Sequence, residues 1–272
     1  MSSRYDDLDR PPLNAAAVRR VLVTPGSLWT QLEVVQQTKS TNEDMRRLAK
    51  VNAPSGSVLI AEEQTAGRGR LGRTWTAPAR SSLTMSVLLR PQAPLATPLG
   101  WIPLLAALAV DDALRRAELG GTGVKWPNDV MVNERKIAGI LSERVDHDGS
   151  LAVVVGMGIN VGMRASELPT PEATSLDVLG QPLDREVLLK SVLRCLATRY
   201  EQFGNGEGDA LRHTYLERST TVGQQVRVEL PDGEAIRGVA VDVDESGALL
   251  VDEGSGVRVV AAADVSHVRA NL

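Results

Sequence analysis

Gly67-Arg68-Gly69-Arg70-Leu71-Gly72-Arg73-Thr74-Trp75 is the stretch on which the reading of the fold turns. Three glycines let the backbone turn tightly and approach a ligand closely. Arg68, Arg70 and Arg73 bring fixed positive charge to the same loop, and Trp75 adds a flat ring able to stack on a base. Backbone N–H groups and guanidinium forks both match phosphate oxygens, so the loop suits a nucleotide or another anionic ligand. Gly67, Gly69 and Gly72 also satisfy G-x-G-x-x-G, and the preceding residues 57–63 read as a strand. A dinucleotide-binding fold requires a helix to open at the third glycine. Here Thr74-Trp75-Thr76-Ala77-Pro78 follows, and Pro78 opposes a helix. The doubly wound fold is therefore disfavoured. A solvated arginine-rich turn and a nucleic-acid patch stay open at this point, the latter weakened by a formal net charge of −4.

Outward from the loop, the pattern is mixed. Residues 15–21 read as a short helix and 32–38 as a strand. Ser40-Thr41-Asn42-Glu43-Asp44 opens a helix, with Ser40/Glu43 and Thr41/Asp44 both fitting a capping box. A strand is expected over 82–89, a mostly apolar core helix over 98–119, and short strands near 123–126, 130–132, 137–144 and 151–157. Residues 167–180 read as a loop. Residues 185–203 form an amphipathic helix in which Val187, Leu188, Val192, Leu193, Leu196 and Tyr200 recur at helical spacing; Cys195 inside it reads as packing. Near residue 220 the texture changes to short alternating strands, 225–230, 235–243, 248–252 and 257–261. Turns at Pro231-Asp232-Gly233, Glu245-Ser246-Gly247 and Glu253-Gly254-Ser255-Gly256 separate them. The expectation is an α/β (α+β) catalytic domain over 13–218 and a small β-barrel over 219–272, after a frayed leader over 1–12.

The composition narrows the class. A 272-residue chain that is 43% hydrophobic and 24% charged is ordinary for a soluble enzyme. The apolar run 101–110 is broken by Pro103 and followed by Asp111-Asp112, so no membrane span is expected. The N-terminus lacks the apolar core of a signal peptide, and a single cysteine suits a cytoplasmic location. His147, His213 and His267 with Cys195 make no zinc pattern. Only five of the 30 basic residues are lysines, and Lys125 and Lys136 fall in one dense segment.

That segment reads Lys125-Trp126-Pro127-Asn128-Asp129, then a hairpin-like turn at Val132-Asn133-Glu134, then Lys136-Ile137-Ala138-Gly139-Ile140-Leu141. Gly156-Met157-Gly158-Ile159-Asn160 follows, with two further glycines in a strand. Together with Ser40-Thr41-Asn42 and the glycine–arginine loop, these motifs stand in the order found in biotin–protein ligases, which the chain resembles from about residue 35 to its end. The resemblance implies a mixed-sheet, class II synthetase-like catalytic domain followed by an SH3-like barrel. It implies a two-step reaction in which biotin attacks the α-phosphate of ATP, with Mg²⁺, to give biotinyl-5′-AMP and pyrophosphate. A lysine of the biotin carboxyl carrier domain of an acyl-CoA or pyruvate carboxylase then takes the biotinyl group.

Carried onto this sequence, the resemblance implies that Ser40, Thr41, Asn42, Gln64, Gly67, Arg68, Gly69, Arg70, Lys136, Gly139, Leu141 and Gly156 bind biotin. It implies that Arg70, Arg73, Trp75, Lys125, Asn128, Lys136 and Asn160 bind ATP, and that Lys136, Arg70, Arg73 and Asp129 carry the chemistry. No metal ligands are assigned. The residue chemistry agrees: joining a carboxylate to a polyphosphate requires neutralisation of like charges, which cations supply. Some family members carry an N-terminal DNA-binding domain. The residues ahead of Ser40 are too few for one, so no repressor function and no specific DNA partner are expected. The oligomeric expectation is a monomer or weak homodimer. The alternatives are a lipoate–protein ligase on the same catalytic fold, a non-enzymatic biotin or nucleotide sensor, and a nucleic-acid-binding module.

Overall fold

The computed structural model describes residues 10–230, 233–261 and 264–267. Its centre is a seven-stranded mixed sheet. The strands are β1 (Gln31–Val35), β2 (Ser57–Ala61), β5 (Ser82–Leu89), β6 (Thr122–Lys125), β7 (Asp129–Val132), β8 (Arg135–His147) and β9 (Ser150–Asn160), in the order β1-β2-β5-β9-β8-β7-β6. β1 and β2 run parallel; every other neighbouring pair is antiparallel. Asn133 and Glu134 take the left-handed conformation at φ +47° and +64°, which closes the β7–β8 hairpin in two residues.

Side chains alternate across a strand, so register decides what each face carries. One face presents Leu83, Met85 and Val87 beside Val155, Met157 and Ile159. These pack on helix α3 (Trp101–Arg116), which is buried nearly all round and lies against α4 (Arg185–Gly204). The other face has two halves. Leu88, Val145, Ala152 and Val154 are covered by Met45 and Ala49 of α2 (Thr41–Lys50). Beyond the helix's N-terminus the same face continues as Ser86, Gly156 and Leu141 in one row and Thr84, Gly158 and Gly139 in the next. Small residues there leave a hollow, and that hollow is the site.

Ser40 caps α2, accepting a hydrogen bond from Glu43 N at 3.4 Å. Glu43 and Asp44 in the first turn, and Arg47 and Lys50 in the last, complement the helix dipole. The glycine–arginine loop forms no α-helix: β3 (Gly67–Arg68) pairs with β4 (Thr74–Trp75) around a short turn. Leu71 in that turn is exposed and sits at φ +51°, a conformation costly for a branched side chain.

The C-terminal unit is a five-stranded antiparallel sheet, β13-β12-β11-β10-β14, built from β10 (Gln225–Glu229), β11 (Ala235–Val243), β12 (Leu249–Asp252), β13 (Val257–Val260) and β14 (Asp264–His267). Its inward side chains, Val226, Val228, Ile236 and Leu249 among them, join the main core. The turn at 245–247 docks it: Trp101 Nε1 donates to Glu245 O at 2.9 Å and Trp126 Nε1 to Gly247 O at 3.0 Å.

One expectation needs correction. Residues 10–12 are not frayed: Arg10 donates to Gly162 O at 2.7 Å and pairs with Glu167, and Pro11 O accepts from Arg185. The rest of the expected leader, 1–9, lies outside the described residues, as do residues 231–232 of the expected turn. Helix α5 (Gly208–Arg218) and strand β14 extend the pattern read from sequence. No helix among the described residues is long and apolar enough to cross a membrane.

Candidate active site

Over the glycine-lined half of the sheet opens a cavity of ≈ 380 Å³. Its floor is glycine because side chains from elsewhere lie directly on it. A Cβ at Gly156 would stand 2.2 Å from Asn42 Oδ1, and one at Gly158 would stand 2.4 Å from Trp75 Cε2. At Gly139 a Cβ would meet Lys136 Nζ and Trp75 Cζ3, both at 3.2 Å. The three glycines thus seat Asn42, Trp75 and Lys136.

One end of the cavity is lined by uncharged hydrogen-bonding groups. Gln64 Oε1 accepts from Thr41 N at 2.8 Å and lies 3.0 Å from Thr41 Oγ1. Ser86 Oγ lies 2.7 Å from Thr41 Oγ1 and 2.6 Å from Asn42 Oδ1. Asn42 Nδ2 donates to Leu141 O at 3.1 Å and to Glu143 Oε2 at 2.8 Å. The other end is charged. Lys136 Nζ pairs with Asp129 Oδ1 at 2.6 Å and stands 5.9 Å from the Trp75 ring centroid. Lys125 is opposite Asp129 in register. Arg68, Gly69, Arg70, Arg73 and Thr74 form the rim, and Arg68 is held by Glu43 at 3.2 Å. Glu229 and Val265 close the mouth from the C-terminal unit.

Of the residues singled out from sequence, Ser40, Thr41, Asn42, Gln64, Arg68, Gly69, Arg70, Arg73, Trp75, Lys125, Asn128, Asp129, Lys136, Gly139, Leu141 and Gly156 all line this one cavity. Two stand off it. Gly67 lies behind the wall, where a Cβ would meet Trp75 O at 2.4 Å. Asn160 is buried, and its Nδ2 donates to Thr174 O at 2.9 Å, so it staples a neighbouring segment. Asn128 lines the cavity while its Nδ2 holds Ile140 O at 2.7 Å. Sequence reading passed over Thr84, Ser86 and Glu143, which only strand register brings to the site face.

Two titrating groups outside the cavity lining feel charges of the site. Burial, reinforced by the positive charge of Lys125 and opposed by Glu134, holds His267 below the usual histidine pKa. Burial and then the charge of Asp129 push the Tyr215 hydroxyl far up, so it stays protonated. Cys195 is buried and its thiol is pushed up by burial, which makes it unreactive.

Known sequences match this arrangement in both units. Residues 34–160 match the biotin/lipoate A/B protein ligase family, and residues 221–268 match the biotin protein ligase C-terminal domain. The chain belongs to the biotin–protein ligase family. It is 44% identical to the biotin–[acetyl-CoA-carboxylase] ligase of Mycobacterium tuberculosis, over 96% of this chain and 97% of that protein. It is 33% identical to the bifunctional ligase/repressor BirA of Bacillus subtilis, over 83% of this chain and 70% of that one. Among solved structures, a biotin–protein ligase from Aquifex aeolicus in complex with biotin and ATP superposes with a TM-score of 0.74 at 29% identity, covering 89% of this chain and 100% of that chain. The match of the C-terminal unit to a biotin protein ligase domain favours the biotin branch of the family over the lipoate branch.

Proposed function

We propose that this chain is an ATP-dependent biotin–protein ligase working in two steps in the one cavity. The observation that carries the reading is the cavity's polarity: a neutral hydrogen-bonding cluster at one end, Lys136–Asp129 under an arginine rim at the other, and a glycine floor between. A molecule with a ureido head, an apolar body and a carboxylate tail fits that order. Thr41, Gln64 and Asn42 take the ureido head, and the carboxylate reaches Lys136.

In the first step a biotin carboxylate oxygen attacks the α-phosphorus of ATP. The bond from that phosphorus to the bridging oxygen breaks, and pyrophosphate leaves. Lys136 exchanges its Asp129 partner for the carboxylate and the α-phosphate, and draws the two anions together. Arg70 and Arg73 neutralise the phosphates, Trp75 packs against adenine, and Lys125 adds positive potential. We place Asp129 and Asn128 as the groups that hold Lys136 and the β8 backbone in position. In the second step a carrier lysine amine attacks the acyl carbon, and AMP leaves.

Mg²⁺ fits as an ion carried in by the polyphosphate. Among the described residues no group of three His, Cys, Asp or Glu could cage a metal, whereas Asp129 and Glu229 offer single carboxylates on the cavity wall. Such sparse protein ligation suits Mg²⁺, which keeps waters and phosphate oxygens. When bound, it offsets the triphosphate charge.

The acceptor we propose is the biotinyl carrier domain of an acyl-CoA carboxylase, the reaction taking place in the cytoplasm. We place the unit boundary at 218/219, where α5 ends. Among the described residues ahead of Ser40 stand one eight-residue helix, α1 (Ala15–Leu22), and edge strand β1, which supply no helix-turn-helix. The 44% identity, over nearly the whole of both chains, to a protein named as a biotin–[acetyl-CoA-carboxylase] ligase supports ligase activity without operator binding. Incubating the chain with Mg·ATP, biotin and a carrier domain tests the function. The expected product is a carrier bearing one biotinyl group on its lysine. An unmodified carrier, or equal modification by lipoate, contradicts the reading.

A further inference from the structure

Asn42 is held in one amide orientation by groups that leave it no choice. Glu143 Oε2 at 2.8 Å and Leu141 O at 3.1 Å are both acceptors, so both protons of the Asn42 amide nitrogen are committed there. The amide oxygen therefore faces Ser86 Oγ at 2.6 Å, and because that oxygen cannot donate, the Ser86 proton goes to it. With the Ser86 proton on Asn42, the single hydroxyl proton of Thr41 goes to Ser86 Oγ, and Gln64 Oε1 keeps Thr41 N as its donor. Arg46 pairs with the second oxygen of Glu143 at 3.3 Å and fixes the carboxylate. Asn42 has no room to swing aside, since its Oδ1 already rests on the Gly156 backbone. Gln64 is polarised in the opposite sense: its oxygen is taken by Thr41 N, so its amide protons remain for a ligand.

We propose that Glu143 and Ser86 are positioning residues that set the ureido subsite's order of donors and acceptors. Asn42 is locked as an acceptor for a ring N–H, and Gln64 as a donor for the ring carbonyl. Neither Glu143 nor Ser86 touches the reacting atoms, and Ser86 is fully buried. This rests on the ligase reading above and adds a source of substrate specificity to it. A site built this way rejects an analogue in which one ureido N–H is replaced by a ring oxygen, because two acceptor oxygens would then face each other. Glu143→Gln supplies an amide that can donate to a turned-over Asn42 oxygen, and Ser86→Ala removes the donor that holds that oxygen in place, so the Asn42 amide offers its nitrogen to that ring oxygen most readily when both are changed.

The test measures biotin-dependent and analogue-dependent exchange of labelled pyrophosphate into ATP for the wild-type chain, Glu143→Gln, Ser86→Ala and the double variant. The expected result is a KM for biotin raised about tenfold in each single variant, the loss of one well-made buried hydrogen bond. Meanwhile kcat and the KM for ATP should change by less than about twofold, within the scatter of substitutions away from the chemistry. The ratio of kcat/KM for biotin over the ring-oxygen analogue should fall about tenfold, and most in the double variant. A merely structural role lowers kcat through lost active protein and leaves the ratio unmoved; that outcome overturns the proposal. Ser86→Cys, which keeps a donor in the same place, should recover part of the discrimination, and its failure to do so counts against Ser86. A wild-type chain with no biotin-dependent exchange overturns the ligase reading itself, whereas an active wild type with an unchanged ratio in the variants overturns this inference alone.

Discussion

Gly156→Ala is a small perturbation whose consequence the geometry specifies. Gly156 is a mid-strand residue of β9, paired with Ser86 on one side and Leu141 on the other. Its backbone needs no glycine, since it is not among the positive-φ residues. What the substitution adds is a methyl group 2.2 Å from Asn42 Oδ1 and 2.9 Å from its Cγ. Asn42 can retreat only by giving up its contacts to Ser86, Leu141 and Glu143. Losing two of those hydrogen bonds at about 1 kcal/mol each removes about 2 kcal/mol from the ordered subsite. That corresponds to an increase of about 30-fold in the KM for biotin. Stability should change little, because alanine is at least as good as glycine in a strand interior and Asn42 sits at the cavity edge. The assay is pyrophosphate exchange at saturating ATP with biotin varied, alongside thermal unfolding. A KM within about twofold of wild type, with melting unchanged, refutes the claim that Gly156 is glycine to seat Asn42.

Four further outcomes follow from the same geometry. Lys136→Ala should lower biotin-dependent adenylation by about a hundredfold or more, the usual worth of a charge-stabilising group at a reacting centre; near-normal exchange removes Lys136 from that role. Arg70→Gly should release biotinyl-AMP, so that bystander proteins become biotinylated; labelling confined to the carrier lysine counts against Arg70 as its phosphate clamp. Trp126→Phe deletes the donor to Gly247 O and should cost about 1–3 kcal/mol in urea unfolding, and an unchanged midpoint shows that this bond does not dock the C-terminal unit. Burial raises the pKa of Asp112, but hydrogen bonds and charges from Arg199 and Arg218 outweigh it and hold the carboxyl below the usual range. Its contribution to stability is therefore present at neutral pH and is lost as pH falls below about 4. Asp112→Asn should flatten the wild type's loss of stability between neutral and acid pH, and an identical acid slope contradicts that assignment.

What could be read from the sequence depended on how local the physics was. Helix α4 was legible because burial imprints a helical period on its residues, strand β5 because it is a short, largely apolar run buried on both faces, and Ser40 as a cap because capping acts within one turn. The glycine–arginine loop declared its chemistry through composition. Ser86 and Glu143 were not legible: a serine and a glutamate in strands look like ordinary strand residues, and only the register of β5, β9 and β8 puts them beside Asn42. Asn160 shows the converse. Its motif places it at the site, but the chain after β9 turns its amide onto Thr174 instead of toward the cavity. Glu43 fits a capping box by spacing, yet its carboxylate pairs with Arg68 across the site mouth. Helix α5 escaped notice because Leu211 and Tyr215 are the buried positions of an otherwise polar segment.

The central claim is that one cavity joins biotin to ATP. Exchange of labelled pyrophosphate into ATP, with biotin and lipoate assayed in parallel, measures that step alone. The account predicts exchange with biotin and Mg²⁺ and none with lipoate. Exchange driven by lipoate, or none with either acid from folded protein, contradicts it.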